Sequence, residues 1–129
     1  MATETRPRPE LAYVEAMRAE FPTVASQLRD LLGRKLVAYL GEVKEGRAVN
    51  GWADGKREPS AAIQGRLRLA LQVALMIAAA DGPRVARAWF QGLNPQLDDR
   101  SPARVLREGT VESDGAAVLG AARAFLVGG

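Results

Sequence analysis

The chain has 129 residues, a net charge of +3, and neither cysteine nor histidine. That length makes one domain, or two small units sharing a core, and the fold must hold without disulfides. Lacking both residue types, the chain has none of the usual zinc, iron–sulfur or haem ligands and lacks the commonest general base. No metal site and no cofactor are expected, and with no glycine-rich phosphate loop following a strand the chain does not read as an enzyme.

Hydrophobic residues make up 47% and aromatics 5%, a core of Leu, Val and Ala that suits helices. The positive charge is concentrated in the middle. Six basic residues stand against four acids over 34–58, and four arginines against one aspartate over 59–92, while both outer segments are net negative. The leader has no secretory apolar core. The apolar run at 71–80 is far below the ~20 residues needed to span a bilayer. Together these point to a cytoplasmic protein that does not enter a membrane.

Residues 1–9 are polar and carry two of the prolines ahead of any apolar pattern, which predicts a mobile tail whose Arg6 and Arg8 lie free in solvent or touch DNA backbone. Over 10–21, Leu11, Val14, Met17 and Phe21 recur at helical spacing, so this stripe is expected to face the core. Pro22 is expected to end that helix and Thr23 to cap the next. The second helix carries Val24, Leu28, Leu31 and Leu32, with Gly33 as its C-cap. A short helix over 34–40 presents Leu36, Val37 and Leu40. Gly41 makes a turn, and a helix over about 45–53 sets Val49 and Trp52 on one face. Asp54-Gly55 is a turn.

The longest pattern runs over 60–80. Ser60 caps it, and two stripes follow: Ile63, Leu67, Ala70/Leu71, Ala74 and Ile77, then Leu69, Val73 and Met76. A helix apolar on two faces is buried between neighbours. Arg66 and Arg68 read as its wet face or as a phosphate rail. Asp81-Gly82-Pro83 breaks the chain, and Val85, Ala88 and Trp89 mark the next helix. After a loop over 92–100, Ser101-Pro102 starts a helix ending near Glu108, with serine as cap and proline at the first helical position. Gly109 closes that helix, and Ser113 or Asp114 caps a last one carrying Val118, Leu119, Ala122 and Phe125/Leu126. No β alternation appears. The expected fold is all-α: a tail (1–9), an N-terminal helical unit (10–60), and a long central helix leading into a small C-terminal helical unit (61–129).

The stretch 36–60, LVAYLGEVKEGRAVNGWADGKREPS, has the layout of a helix-turn-helix, with a sharp turn at Gly41, apolar packing by Val43, Val49 and Trp52, and polar residues on the opposite face. Lys44, Arg47 and Asn50 are the candidate readers, because Arg offers a fork to guanine and Asn a fork to adenine. Lys56 and Arg57 are candidates for phosphate, and Lys35 could assist. The same pattern also suits a helical hairpin that reads no DNA. The stretch resembles the Xre (Cro/repressor-like) family, in which a tryptophan is followed by glycine, basic residues and proline, here Trp52, Gly55, Lys56, Arg57 and Pro59. It departs from the family in a longer step from Gly41 to Trp52, in Gly46 and Gly51 within the reading helix, and in Glu45 near the phosphates.

Trp89, Asn94, Leu97, Pro102 and Leu106 then resemble the C-terminal toxin-binding domain of the Xre/MbcA/ParS antitoxins, and Gly109 with 115–126 matches its final turn and helix. The resemblance implies a type II antitoxin that neutralises a RES-domain, NAD-degrading toxin and represses its own operon through the helix-turn-helix. Trp89, Phe90, Leu93, Leu97, Phe125, Leu126 and Val127 are many large apolar groups for a small unit, and some could form an exposed patch for a partner. The candidate toxin contacts are Phe90, Asn94, Leu97, Arg104, Phe125, Leu126 and Val127, with Phe90, Leu126 and Val127 equally suited to core. Trp89 and Leu106 read as core. The alternative is a stand-alone Xre-type transcriptional regulator. A homodimer is expected on either reading, since half-sites are read in pairs.

Overall fold

The computed structural model describes residues 9–128. The tail expected over 1–9, with Arg6 and Arg8, lies outside them but for Pro9, which opens the first helix. Among the described residues the order is α1 Pro9–Arg18, α2 Phe21–Leu32, α3 Arg34–Leu40, α4 Gly46–Ala53, α5 Ala61–Asp81, α6 Pro83–Gln91, a 3-10 turn Pro95–Leu97, α7 Pro102–Glu108 and α8 Val111–Gly128. The fold is all-α, and among the described residues the strand-like pairing is a lone bridge between Asn94 and Arg100.

The hub is α5. Ser60 caps it, its hydroxyl accepting from the Ile63 amide at 3.2 Å. Leu67, Leu71, Ala74 and Ile77 are buried on one side and Leu69, Val73 and Met76 on the other, because α1, α2, α6 and α8 all pack around this helix. By length and composition α5 is apolar enough to cross a membrane, yet half of that stretch is buried inside the protein. The crossing with α8 is close: a Cβ on Gly115 would lie 3.2 Å from Leu69 Cδ2. One buried cluster runs from Phe21 and Trp52 through Leu67 to Trp89, Leu106 and Val118. Burying each such large side chain contributes roughly 1.5–3 kcal/mol.

Several sequence expectations change. The helix α1 docks through Ala12 and Ala16, while Leu11 and Val14 are 54% and 40% exposed. The cause lies on α5. Arg68 reaches over the end of α1 and donates through Nη1 to the carbonyls of Ala16 at 3.0 Å and Ala19 at 2.7 Å. Small residues on the inner face let α1 lie close enough for this. Arg68 is thus a helix cap, satisfying carbonyls that have no intrahelical partner. Arg66 is no wet-face residue either. It is 8% exposed and donates to the Leu40 carbonyl and to Glu42 Oε2, both at 2.8 Å.

Pro22 does not end α1. It sits in the first turn of α2, which starts at Phe21 with Glu20 as N-cap, a position where the missing N–H removes no helical bond. Thr23 is therefore inside the helix. Ala88 faces solvent, and Ala86 and Phe90 take the inner side of α6 with Trp89. The last helix begins at Val111. Thr110 Oγ1 accepts from the Ser113 amide at 3.0 Å, and Ser113 Oγ accepts from the Thr110 amide at 3.4 Å, a reciprocal cap. Asp114 joins it, and the Ser113 hydroxyl, then the Thr110 amide, hold its carboxyl below the usual range.

Candidate functional site

Two short helices, α3 and α4, flank the turn 41–45. Gly41 has φ −88°, so the left-handed residue of the turn is Glu42, at φ 58°. What requires glycine at 41 is space, since a Cβ there would lie 2.5 Å from Trp52 Cη2. Trp52 is core, edge-on to Phe21 with centroids 6.3 Å apart. Arg66 anchors the turn from α5 by holding the Leu40 carbonyl and Glu42 together. Its hydrogen bond is the main cause holding the Glu42 carboxyl below the usual glutamate range, with the charges of Arg66 and Arg107 adding to it and partial burial opposing it.

The end of α4 is a Schellman turn. The Lys56 amide donates to the Gly51 carbonyl at 2.9 Å and the Gly55 amide to the Trp52 carbonyl at 3.1 Å, with Gly55 at φ +75°. The chain folds back, so the stem of Arg57 lies along α4. A Cβ on Gly51 would come within 2.9 Å of Arg57 Cδ. Gly46 plays the same part for Arg34, whose Nε would be 2.7 Å from a Cβ there. The two glycines that depart from the Xre pattern therefore make room for arginines lying on the helix.

Lys44, Arg47 and Arg57 meet around one shallow depression, together with Val43, Glu45 and Ala48. Arg47 pairs with Glu45, an exposed contact of little strength. Lys56 is exposed just beyond the helix. Asn50 is half-buried, its Oδ1 accepting from Arg29 Nη1 at 3.0 Å. Arginine only donates, so the amide oxygen is the atom turned inward. That leaves the Nδ2 donors for a DNA edge and no intact fork for adenine. Arg29 and Arg34 were not anticipated as neighbours of this surface. The glycine at the start of α4 was the available sign for Arg34, and Arg29 left none.

The C-terminal candidates separate into three groups. Phe90 and Leu97 are 0% and 3% exposed, so these expected toxin contacts are core. Phe90 packs edge-on to Trp89 at 5.3 Å. Asn94 shapes its loop: its side chain accepts from the Gln96 amide at 2.9 Å, and its carbonyl accepts from the Leu97 and Asp99 amides, both at 2.9 Å. The left-handed Asp98 and Asp99 complete that loop. Arg104 is exposed and pairs with Glu108 at 3.0 Å. Phe125 and Leu126 are half-buried, and Val127 is 90% exposed.

An open groove runs between this loop and the end of α8, lined by Trp89, Leu93, Asn94, Pro95, Ala121 and Phe125. Leu93, one of the apolar residues expected to form an exposed patch, stands on its rim at 77% exposure. The indole Nε1 of Trp89 is buried and has no hydrogen-bond partner among the described residues. The two surfaces are joined on one side, where Arg107 of α7 donates to the Tyr39 carbonyl of α3 at 2.6 Å and sits 4.7 Å over the Tyr39 ring.

Helices of these lengths in this order build a fold already seen in a toxin–antitoxin assembly. The chain is similar to one chain of the crystal structure of the M. tuberculosis MbcT–MbcA toxin–antitoxin complex, with a TM-score of 0.67 and 23% identity over 85% of this chain and 96% of that one. At that identity the shared property is the fold. No protein-family model and no curated protein matches the sequence.

Proposed function

We propose that this chain is the antitoxin of a type II toxin–antitoxin pair. In the cytoplasm it binds and neutralises a RES-domain, NAD-degrading toxin, and as a homodimer it represses its own operon through α3 and α4. It acts by binding, not by catalysis. The observation that carries the reading is the apolar groove at Leu93 and Phe125, beside the exposed Val127, on a fold shared with a chain of a toxin–antitoxin complex. An exposed, polar-rimmed apolar surface on a small protein marks a partner site. The test is co-expression with a RES-domain protein encoded beside it. Growth and cellular NAD should be restored, and a toxin that stays fully toxic in its presence ends this reading.

The alternative, a stand-alone Xre-type regulator, draws on the depression that gathers Lys44, Arg47 and Arg57. For DNA the expectation is binding to the chain's own promoter fragment that weakens as salt rises. Arg47→Ala should lower affinity roughly tenfold if the guanidinium grips a base, since a good bidentate pair is worth about 1–3 kcal/mol. Gel-shift titration reads both, and salt-independent binding would remove the DNA role.

A further inference from the structure

The outward face of α1 is a second apolar surface, distant in sequence from the groove. Ala12 and Ala16 bury the inner side. At 100° per residue, Val14 lies opposite the midpoint of that buried side. Glu10 and Arg18 sit one turn before and one turn after it, all three exposed, and Leu11 flanks them at 54% exposure. The arrangement acid–apolar–base at i, i+4 and i+8 is complementary to itself when reversed. If two such helices cross antiparallel over Val14, Glu10 of each comes within reach of Arg18 of the other, twice, with Leu11 packed on the Arg18 stems. A two-fold contact has this property, the same patch serving on both sides.

We infer that the exposed face of α1 is the homodimer contact, with a second copy of this chain as its occupant. This deepens the homodimer part of the proposed function and does not depend on the toxin. The helix is about 15 Å long, so the buried area falls at the low end for specific complexes and the dimer is weak. It tightens when DNA holds two copies on adjacent half-sites.

The chain has no cysteine, so Val14→Cys introduces a single thiol at the centre of the face. Under mild oxidation at micromolar concentration this variant should form a disulfide-linked dimer rapidly, while Asp30→Cys, at another exposed position, should not. In sedimentation equilibrium, Glu10→Arg and Arg18→Glu should each weaken self-association about tenfold by replacing two exposed attractions with two repulsions. The double variant should recover it. A wild type that stays monomeric at every concentration removes the homodimer reading and this contact together. A dimer indifferent to both single reversals keeps the homodimer and overturns this surface alone. The surface is also overturned if the Val14→Cys thiol is shielded from a thiol reagent only when a toxin is added, which would assign the face to that partner.

Discussion

The two candidate surfaces differ in what the fold did with the residues expected there. On α4 and its exit turn, Lys44, Arg47, Lys56 and Arg57 all reach solvent, and three of them surround one depression. In the C-terminal unit, Phe90 and Leu97 are inside, Asn94 holds a loop together, and the apolar side chains left in water are Leu93 and Val127. The difference teaches that sidedness is easy to read for a charge on a short surface helix and hard to read for large apolar groups, or for an arginine such as Arg66 on the central helix. A lysine or arginine on a short helix is driven outward by its hydration. A phenylalanine is equally at home in a core and in an interface, and only the three-dimensional packing separates the two.

Core and surface can be told apart by what each substitution damages. The largest effect is expected for Phe90→Ala, which should lose about 3–5 kcal/mol of folding stability in urea melts, as truncation of a fully buried ring does. If Phe90→Ala instead keeps wild-type stability and loses only toxin binding, its ring is a contact after all. Next is Arg66→Met, which removes the donor from the buried Leu40 carbonyl and frees Glu42. About 1–3 kcal/mol should be lost, and promoter binding should fall with it because the turn at 41–45 loosens.

Leu93→Ala should change stability by under about 0.5 kcal/mol, as at other exposed sites, while weakening toxin capture in a pull-down titration. Equal toxin affinity would move the contact away from the groove. The smallest effect belongs to Glu42. Its folded carboxyl is held below its ordinary range, so its contribution is complete at neutral pH and above. That contribution fades as acid protonates the group in the folded state. Glu42→Gln should therefore flatten the acid limb of a stability–pH profile and leave the neutral-pH shape unchanged. An unchanged acid limb would show that the Arg66 contact does not govern that titration.

Much of the fold was legible. The Ser60 and Ser101 caps, the break at Asp81-Gly82-Pro83 and the two stripes of α5 all follow from local chemistry, and each stands where its residues place it. What escaped depended on distant partners. Arg66 finds a carbonyl 26 residues away, and Arg68 finds one 52 residues away, separations at which helical spacing says nothing. The face of α1 was misread for the same reason. Met17 does pack against the core, but Leu11 and Val14 of the same stripe face outward, and the alanine side allows the closer approach that Arg68 needs. On α4, Gly46 and Gly51 stood out in the sequence only as departures from the Xre pattern, and their use became visible once Arg34 and Arg57 were found lying across them.

The shared core has a consequence for the lifetime of the protein. Because Trp52 and Trp89 belong to one buried cluster threaded by α5, neither end keeps its packing when the other is removed. A cut near Asp81 would therefore disturb the α3–α4 surface and the groove in a single event. On the proposed function, repression and neutralisation would then decay with one common half-life, and loss of the protein would release the gene and its product together.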